Sequence, residues 1–394
     1  MKILYCHNQY QQPGGEDVAA QDEIGLLRAH GHIVQEYFLH NDEINQMSKF
    51  SAAAKTIWNS RSRREVSALL KDKRFDLLHA MNTFPLISPA IYYAAREFQV
   101  PVVQTLANYR LLCPGSYLMR NGKLCTDCMR WPAPIPAVLH KCYRGNLLAS
   151  AAVASMLTTH RILGTWRKMV HRYCVFTEHG KNVFIEGGLP ADRIAIKPNF
   201  IDPIPEVGSG TGDFALFVGR LSPEKGIDTL LTAWREIQNP PLLKIVGDGP
   251  LRGLAEQAAA ENSCIQVLGW KQPSEVQQLM GDATCLMLPS LWFEGMPKVQ
   301  LEAMAMGTPV LASRIGSMGE TVLPGINGEL FEPGNAQDLK ECVSKFFEDT
   351  ASRHQLREKT RQDFLAKYTA PRNYDLLMGI YQDAISLANS STVS

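Results

Sequence analysis

The sequence predicts an α/β protein of two Rossmann-like domains, and three observations carry that reading. Short apolar runs alternate with helical-period segments, the pattern of parallel strands covered by helices. The chain's 394 residues exceed what one core usually organises. A stretch without periodicity and rich in Pro, Gly, Ser and Asp, DPIPEVGSGTGD at 202–213, separates two sets of such runs and reads as a linker.

The first set of strands is KILYCH (2–7), HIVQEYFL (32–39), LLHAM (77–81), PVVQTL (101–106), YCVFT (173–177) and IAIKPNF (194–200). The second begins with FALFVGR (214–220), continues through LLKIVG, IQVLGW, ATCLMLPS and TPVLAS, and ends with GELFEP near residue 333. The expected domains are residues 1–201, 202–375, and a carboxy-terminal helix or tail at 376–394 that crosses back to the first domain. Ligands of open parallel sheets lie beyond the carboxyl ends of the strands, so two facing sheets place a site in the cleft between them.

Composition narrows the partners. With 45% apolar residues, 20% charged residues and a net charge of +1, the chain has no whole-molecule bias toward nucleic acid. The opening apolar run ends at His7 and Asn8, too soon for a secretory signal, and no run reaches the length of a membrane span, which reads as a cytoplasmic protein.

Several spacings prepare charge for a phosphate. In QQPGGED, Gly14 and Gly15 precede a helix expected from about Asp17 to His30, so backbone amides can approach a ligand without an intervening side chain; an ordinary turn is the alternative. VGRLSPEKG ends a strand with Arg220 and places Lys225 just before a helix expected from Ile227, two cations able to converge on one diphosphate. VGDGP at 246–250 lacks the rest of a dinucleotide glycine pattern, which excludes a nicotinamide site. In FEGMPKVQLEAMAMG, Pro297 suits a first helical turn that Gly307 and Pro309 close, leaving Glu294, Gly295 and Met296 on the entering loop and Glu302 about a turn and a half inside.

VGRLSPEKG, VGDGP, LGW and FEGMPKVQLEAMAMGTPVLAS together resemble the carboxy-terminal domain of glycosyltransferase family 4. YQQPGGED, NYRLLCPG and VFIEGGLPADRIAIKPNF resemble its amino-terminal half, so the likeness spans nearly the whole chain. It implies a GT-B fold and a retaining, metal-independent hexosyltransferase with no catalytic cofactor. Arg220 and Lys225 would hold the diphosphate of a nucleotide sugar, Glu302 the ribose, Glu294 the transferred sugar, and Gly14 and Gly15 the phosphate and acceptor side, with Gly295 and Met296 also among the donor-binding residues. The absence of Asp-x-Asp fits, since Arg, Lys and a helix dipole then stabilise the leaving diphosphate. The family commonly has His where TLANYRLLCPG has Ala107, a catalytic position, which implies an impaired or engineered variant.

Four of nine cysteines cluster as Cys113-x11-Cys125-x2-Cys128-x13-Cys142, in a segment with little apolar periodicity. The spacing suits a structural Zn, with disulfides and free thiols as alternatives; cytosolic reduction disfavours disulfides. Cys6, Cys174, Cys264, Cys285 and Cys342 read as small core residues.

HRILGTWRKMVHRY at 160–173 has the period of one amphipathic helix, suited either to an anionic membrane or to packing on the first sheet, and Arg61, Arg63 and Arg64 form a second basic spot. The resulting reading is a transferase moving a sugar from a nucleotide diphosphate donor to an acceptor glycan. The acceptor is read as lipid-linked, in surface polysaccharide biosynthesis, at the inner face of a membrane. A non-catalytic nucleotide-sugar-binding protein and a nucleotide-sugar epimerase are the alternatives.

Overall fold

A computed structural model describes residues 1–12, 14–129 and 131–391. The chain divides into two compact units. The first comprises Met1–Arg120, Cys125–Pro198 and the chain from Asn373 onward; the second comprises Asn121–Leu124 and Asn199–Arg372. Residues 392–394 of the expected tail lie outside the described residues.

In the first unit six strands, β1 (Lys2–Gln9), β2 (Ile33–His40), β3 (Leu77–Asn82), β4 (Val102–Thr105), β5 (Arg172–Val175) and β6 (Ile194–Ile196), form one sheet in the order β2-β1-β3-β4-β5-β6. All its pairings are parallel. In the second unit β7 (Phe214–Val218), β8 (Leu242–Val246), β9 (Ile265–Gly269), β10 (Cys285–Leu288), β11 (Val310–Ser313) and β12 (Gly328–Phe331) form a parallel sheet in the order β9-β8-β7-β10-β11-β12. Central strands are buried on both faces, which is why they are near-continuous apolar runs: residues 3–8 of β1 are all buried. The helices used below are α1 (Gly15–Ala29), α2 (Leu147–Ile162), α3 (Ile227–Glu236), α4 (Lys298–Ala305) and α5 (Ala370–Ser391).

The core of the first unit joins Ile3 and Tyr5 of β1, Ala20, Ile24 and Leu27 of α1, and Leu377, Ile380, Tyr381 and Ala384 of α5. The last four recur at i, i+3, i+4 and i+7, one face of a helix. Within this core lies a charged cluster. Lys197 Nζ is 2.6 Å from Glu23 Oε2, an ion contact that lacks hydrogen-bond alignment, and both side chains are buried. Tyr5 Oη donates to Glu23 Oε1 at 3.0 Å, and His79 Nδ1 lies 3.0 Å from the same oxygen and 2.6 Å from Tyr381 Oη. Burial alone would raise the Glu23 pKa; Lys197 and then His79 reverse that and hold it well below the usual carboxylate range. The second unit's core is built on Leu230, Leu231 and Trp234 of α3, with the Trp234 indole N–H donating to Pro241 O at 2.8 Å.

Two expectations are corrected. Residues 202–213 are without helix or strand, yet the glycines are docked, not a free linker. Gly208, Gly210 and Gly212 donate to Met306 O, Gly281 O and Asp282 O, and a Cβ on Gly208 would stand 2.2 Å from Gly281. The glycines serve close approach, a need that composition does not distinguish from flexibility. The 160–173 segment is not one helix: α2 ends at Ile162, Gly164 is left-handed (φ 67°), a short turn spans Thr165–Lys168, and β5 begins at Arg172. Trp166, Met169 and Val170 pack inside, whereas Ile162 and Leu163 are exposed. Arg167 and Arg172 are held by the carbonyls of Gly188 and Asp192.

Glu23→Gln should lower unfolding free energy by about 3–5 kcal/mol because Lys197 is left buried without a counter-charge, and Glu23→Gln with Lys197→Met should recover part of the loss. Since the folded pKa of Glu23 is depressed, its contribution is complete above about pH 4.3 and declines as pH falls toward the folded value. Denaturant titrations of both variants against pH check this; a wild-type and Glu23→Gln difference that does not shrink in acid would contradict it.

Candidate functional site

In the second unit β7 and β10 are neighbours, where the strand order reverses, and their following loops carry the charged residues. After β7 the chain runs through Gly219 and the exposed Arg220 into a short 3-10 turn, Pro223–Lys225. Gly226 follows at φ 71°, and a Cβ there would sit 1.8 Å from Pro289 O, so only glycine lets this loop lie against the one after β10. The glycines of VGDGP have a similar purpose: a Cβ on Gly247 would meet Gly219 O at 1.9 Å, and one on Gly249 would meet Leu221 O at 2.5 Å.

The closeness of the two loops brings Lys225 and Glu294 together. Glu294 is 6% exposed. Its Oε1 accepts from Lys225 Nζ at 2.6 Å, Ser290 Oγ at 2.8 Å and Trp292 Nε1 at 2.9 Å. Lys225 Nζ also lies 5.6 Å from the centre of the Trp292 ring. The residues expected to act as separate stations therefore form one unit, and an ammonium with three N–H donors keeps capacity for an anion. Gly295 leads to the buried Met296, whose carbonyl accepts from Asn199 Nδ2 at 3.0 Å. Pro297 is the N-cap of α4, and Glu302 lies half-buried about one turn inside, slightly nearer the helix start than expected. Ser290 and Trp292 were not singled out in the sequence; a Ser at a strand's carboxyl end was the available signal.

In the first unit the loop after β1 is shaped by Asp17. Its carboxylate accepts from Gly14 N at 2.8 Å and Tyr10 N at 3.2 Å, and His7 Nε2 lies 2.9 Å away. Burial would raise the Asp17 pKa, but the His7 bond and the two amides hold it down. Gly14 is the N-cap, which starts α1 at Gly15, two residues before the expected Asp17. Glu16 accepts from Tyr10 Oη at 2.8 Å and Asn108 Nδ2 at 2.6 Å, tying this loop to the residue after Ala107; burial keeps its pKa raised despite both bonds. Ala107 packs against the core and lines a small cavity with Met81, Asn82, Gln104, Asn108 and Arg110. The buried Gln104 Oε1 in that wall has no hydrogen-bond partner among the described residues. Sequence reasoning missed Glu16 and Asp17, although carboxylates in the first turn of a helix are a recognisable cap.

The cysteine loop is drawn together. Cys113 and Cys128 are buried, Cys125 and Cys142 half-buried, and all nine cysteines are free thiols. Burial first and the nearby Cys113 next push Cys128 up to about 12, with Cys142 and Cys125 adding to the effect. Among the described residues no group of three or more His, Cys, Asp or Glu is already arranged to hold a metal ion. Of the basic spot, Arg61 pairs with Glu65 at 2.8 Å and Arg63 with Glu97 at 3.3 Å. No described helix is long and apolar enough to cross a membrane.

Two parallel six-stranded sheets with polar residues at the carboxyl ends of their central strands define a GT-B glycosyltransferase scaffold, and the fold is shared with solved structures. HepE of Anabaena, solved in complex with UDP, is 18% identical with a TM-score of 0.67 over 99% of this chain and 100% of its own. Residues 204–363 match the model of the family described as glycosyl transferases group 1. The putative teichuronic acid biosynthesis glycosyltransferase TuaC of Bacillus subtilis is 31% identical over 331 residues, 82% of this chain and 76% of its own. An uncharacterized glycosyltransferase of Methanocaldococcus jannaschii is 37% identical over 155 residues, 39% of this chain and 43% of its own. The chain spans under half the length of several other curated relatives that it matches. It belongs to the group 1 glycosyltransferases.

Gly15 is exposed with nothing within 4 Å of a Cβ built on it, so the fold does not demand glycine there. Gly15→Ala should leave stability unchanged or raised by up to about 1 kcal/mol. Thermal unfolding checks this; a loss of stability would assign the glycine to the fold.

Proposed function

We propose that the chain transfers a sugar from a nucleotide diphosphate donor to a glycan acceptor. The Lys225–Glu294 pair, on the loops after adjacent central strands, with the exposed Arg220 on the same loop as Lys225, carries this reading. Arg220 and Lys225 supply the positive charge that the departing diphosphate needs, the amino terminus of α4 adds its dipole, and Glu302 meets the ribose hydroxyls. Glu294, already fixed by three donors, presents its remaining oxygen toward the sugar. The bond from the anomeric carbon to the diphosphate breaks as the acceptor oxygen bonds to that carbon, and the acceptor's proton passes to the leaving phosphate. The finer parts of the proposal, family 4, retention at the anomeric carbon and independence from a metal ion, rest on the motif resemblance and these cationic side chains.

The names of relatives support a polysaccharide acceptor, TuaC being assigned to teichuronic acid biosynthesis, and the UDP-glucose complex of HepE supports a uridine donor. A lipid-linked acceptor at a membrane face draws on the exposed Phe50, Leu147, Leu148, Ile162 and Leu163, carried on or just beyond two helices packed together. Ala107 favours a second reading, donor binding without transfer, because a methyl cannot donate to a developing charge.

Two measurements test these readings. Arg220 is exposed, so Arg220→Ala should leave the fold intact and weaken UDP by about 1.5–3 kcal/mol, roughly ten- to a hundredfold, in calorimetry. Unchanged affinity would remove Arg220 from the site. Ala107→His should raise turnover at saturating donor by at least about tenfold with little change in donor affinity. Equal turnover in both proteins would mean that Ala107 belongs to a mechanism without that imidazole, or that donor is bound and not transferred.

A further inference from the structure

We propose that Cys113, Cys125, Cys128 and Cys142 bind one structural Zn2+ that fastens the 113–142 loop to the first unit. The main chain links the four in pairs. A Cβ placed on Gly115 would lie 3.7 Å from Cys113 Sγ and 3.8 Å from Cys142 Cβ, so these two cysteines flank one glycine. The same Cβ would stand 3.3 Å from Cys142 O, so a side chain at 115 would force the two apart. Cys142 is tied to the short helix that follows Cys128, the carbonyl of Ala137 accepting from Cys142 N at 2.9 Å. Cys128 and Cys125 share a tight turn, closed by Met129 N donating to Thr126 O at 2.9 Å. Cys125 is held in the same unit by its N–H, which donates to Leu118 O at 2.8 Å.

Among the described residues this loop has only a small apolar anchor, Leu118 and Ala137 being buried. Trp131, Ile135 and Leu139 are 60%, 58% and 70% exposed, so the segment buries few of its own large apolar side chains. What holds it is polar: the Arg161 guanidinium of α2 donates to the carbonyls of Leu111, Leu112, Cys128, Trp131 and Pro132, gripping the backbone just before Cys113 and around Cys128. Four cysteines within 30 residues, two of them buried and none in a disulfide, form a donor set of the softness and number that tetrahedral zinc takes. The thiols are not preset as a metal group, so binding requires side-chain rotation. The partly exposed Cys125 and Cys142 have the freedom for it.

The test uses the full chain purified without chelator and zinc as the probe. Elemental analysis should find about one Zn per chain. Cys125→Ser and Cys142→Ser should each reduce bound zinc and lower the thermal midpoint, whereas Cys264→Ser, in the second unit, should change neither. Chelation should expose the 113–142 loop to proteolysis, and added Zn2+ should restore protection. Zinc below about 0.1 per chain that added Zn2+ does not raise, zinc that persists in both loop variants, or a disulfide among the four in mass spectra would overturn the assignment. UDP calorimetry on the same samples reads the nucleotide site separately, so failure of one reading is not failure of the other.

Discussion

The buried pairing of Glu23 with Lys197 is the contact on which the first unit's arrangement depends. A lone carboxylate at that depth would cost several kcal/mol, so α1 and the chain just after β6 are obliged to keep their relative positions. Tyr5 of β1 and His79 of β3 fix the other carboxylate oxygen, and His79 in turn meets Tyr381 of α5. One acid thus registers two central strands and two helices. The start of the same helix is set separately, by Asp17 accepting from the amides of Gly14 and Tyr10. Apolar packing alone would tolerate small shifts of α1; a charge that must stay paired does not.

The second unit reaches its order by a different route. Its positioning elements are glycines that permit backbone to lie on backbone: Gly226 against Pro289, Gly247 against Gly219 and Gly249 against Leu221. The first of these contacts brings the loops after β7 and β10 close enough for Lys225 and Glu294 to pair, although 69 residues separate them; the other two seat the loop after β8 on the loop after β7. The site chemistry is therefore a product of close approach, and the helix dipole of α4 begins where that approach ends.

Much of this was legible in the sequence. Parallel strands buried on both faces show as apolar runs, so each of the twelve strands of the two large sheets overlaps an expected segment, four of them running one or two residues beyond it, and Pro297 and Gly307 bracketed α4. Glu294, Glu302, Arg220 and Lys225 could be named as candidates because their spacing is local to single loops. The rest needs three dimensions. The Lys225–Glu294 contact and the Glu23 cluster join residues far apart in sequence. The Gly-rich 208–212 segment looked flexible because glycine serves freedom and close packing equally. The 160–173 segment kept helical period through a left-handed Gly164, since a periodic pattern is satisfied by short pieces that turn toward one core.

The return of α5 to the first unit has a consequence for biosynthesis. A ribosome releases residues 199–372, nearly all of the second unit, before Leu377, Ile380 and Tyr381 emerge. The unit that is made first is thus the last whose core can close, and a nascent chain halted near residue 370 carries a finished second unit beside a sheet still missing a helix. During that interval the apolar face destined for α5 is what a chaperone would hold. A protease trimming the same helix from the mature protein would reopen the first unit and leave the second folded.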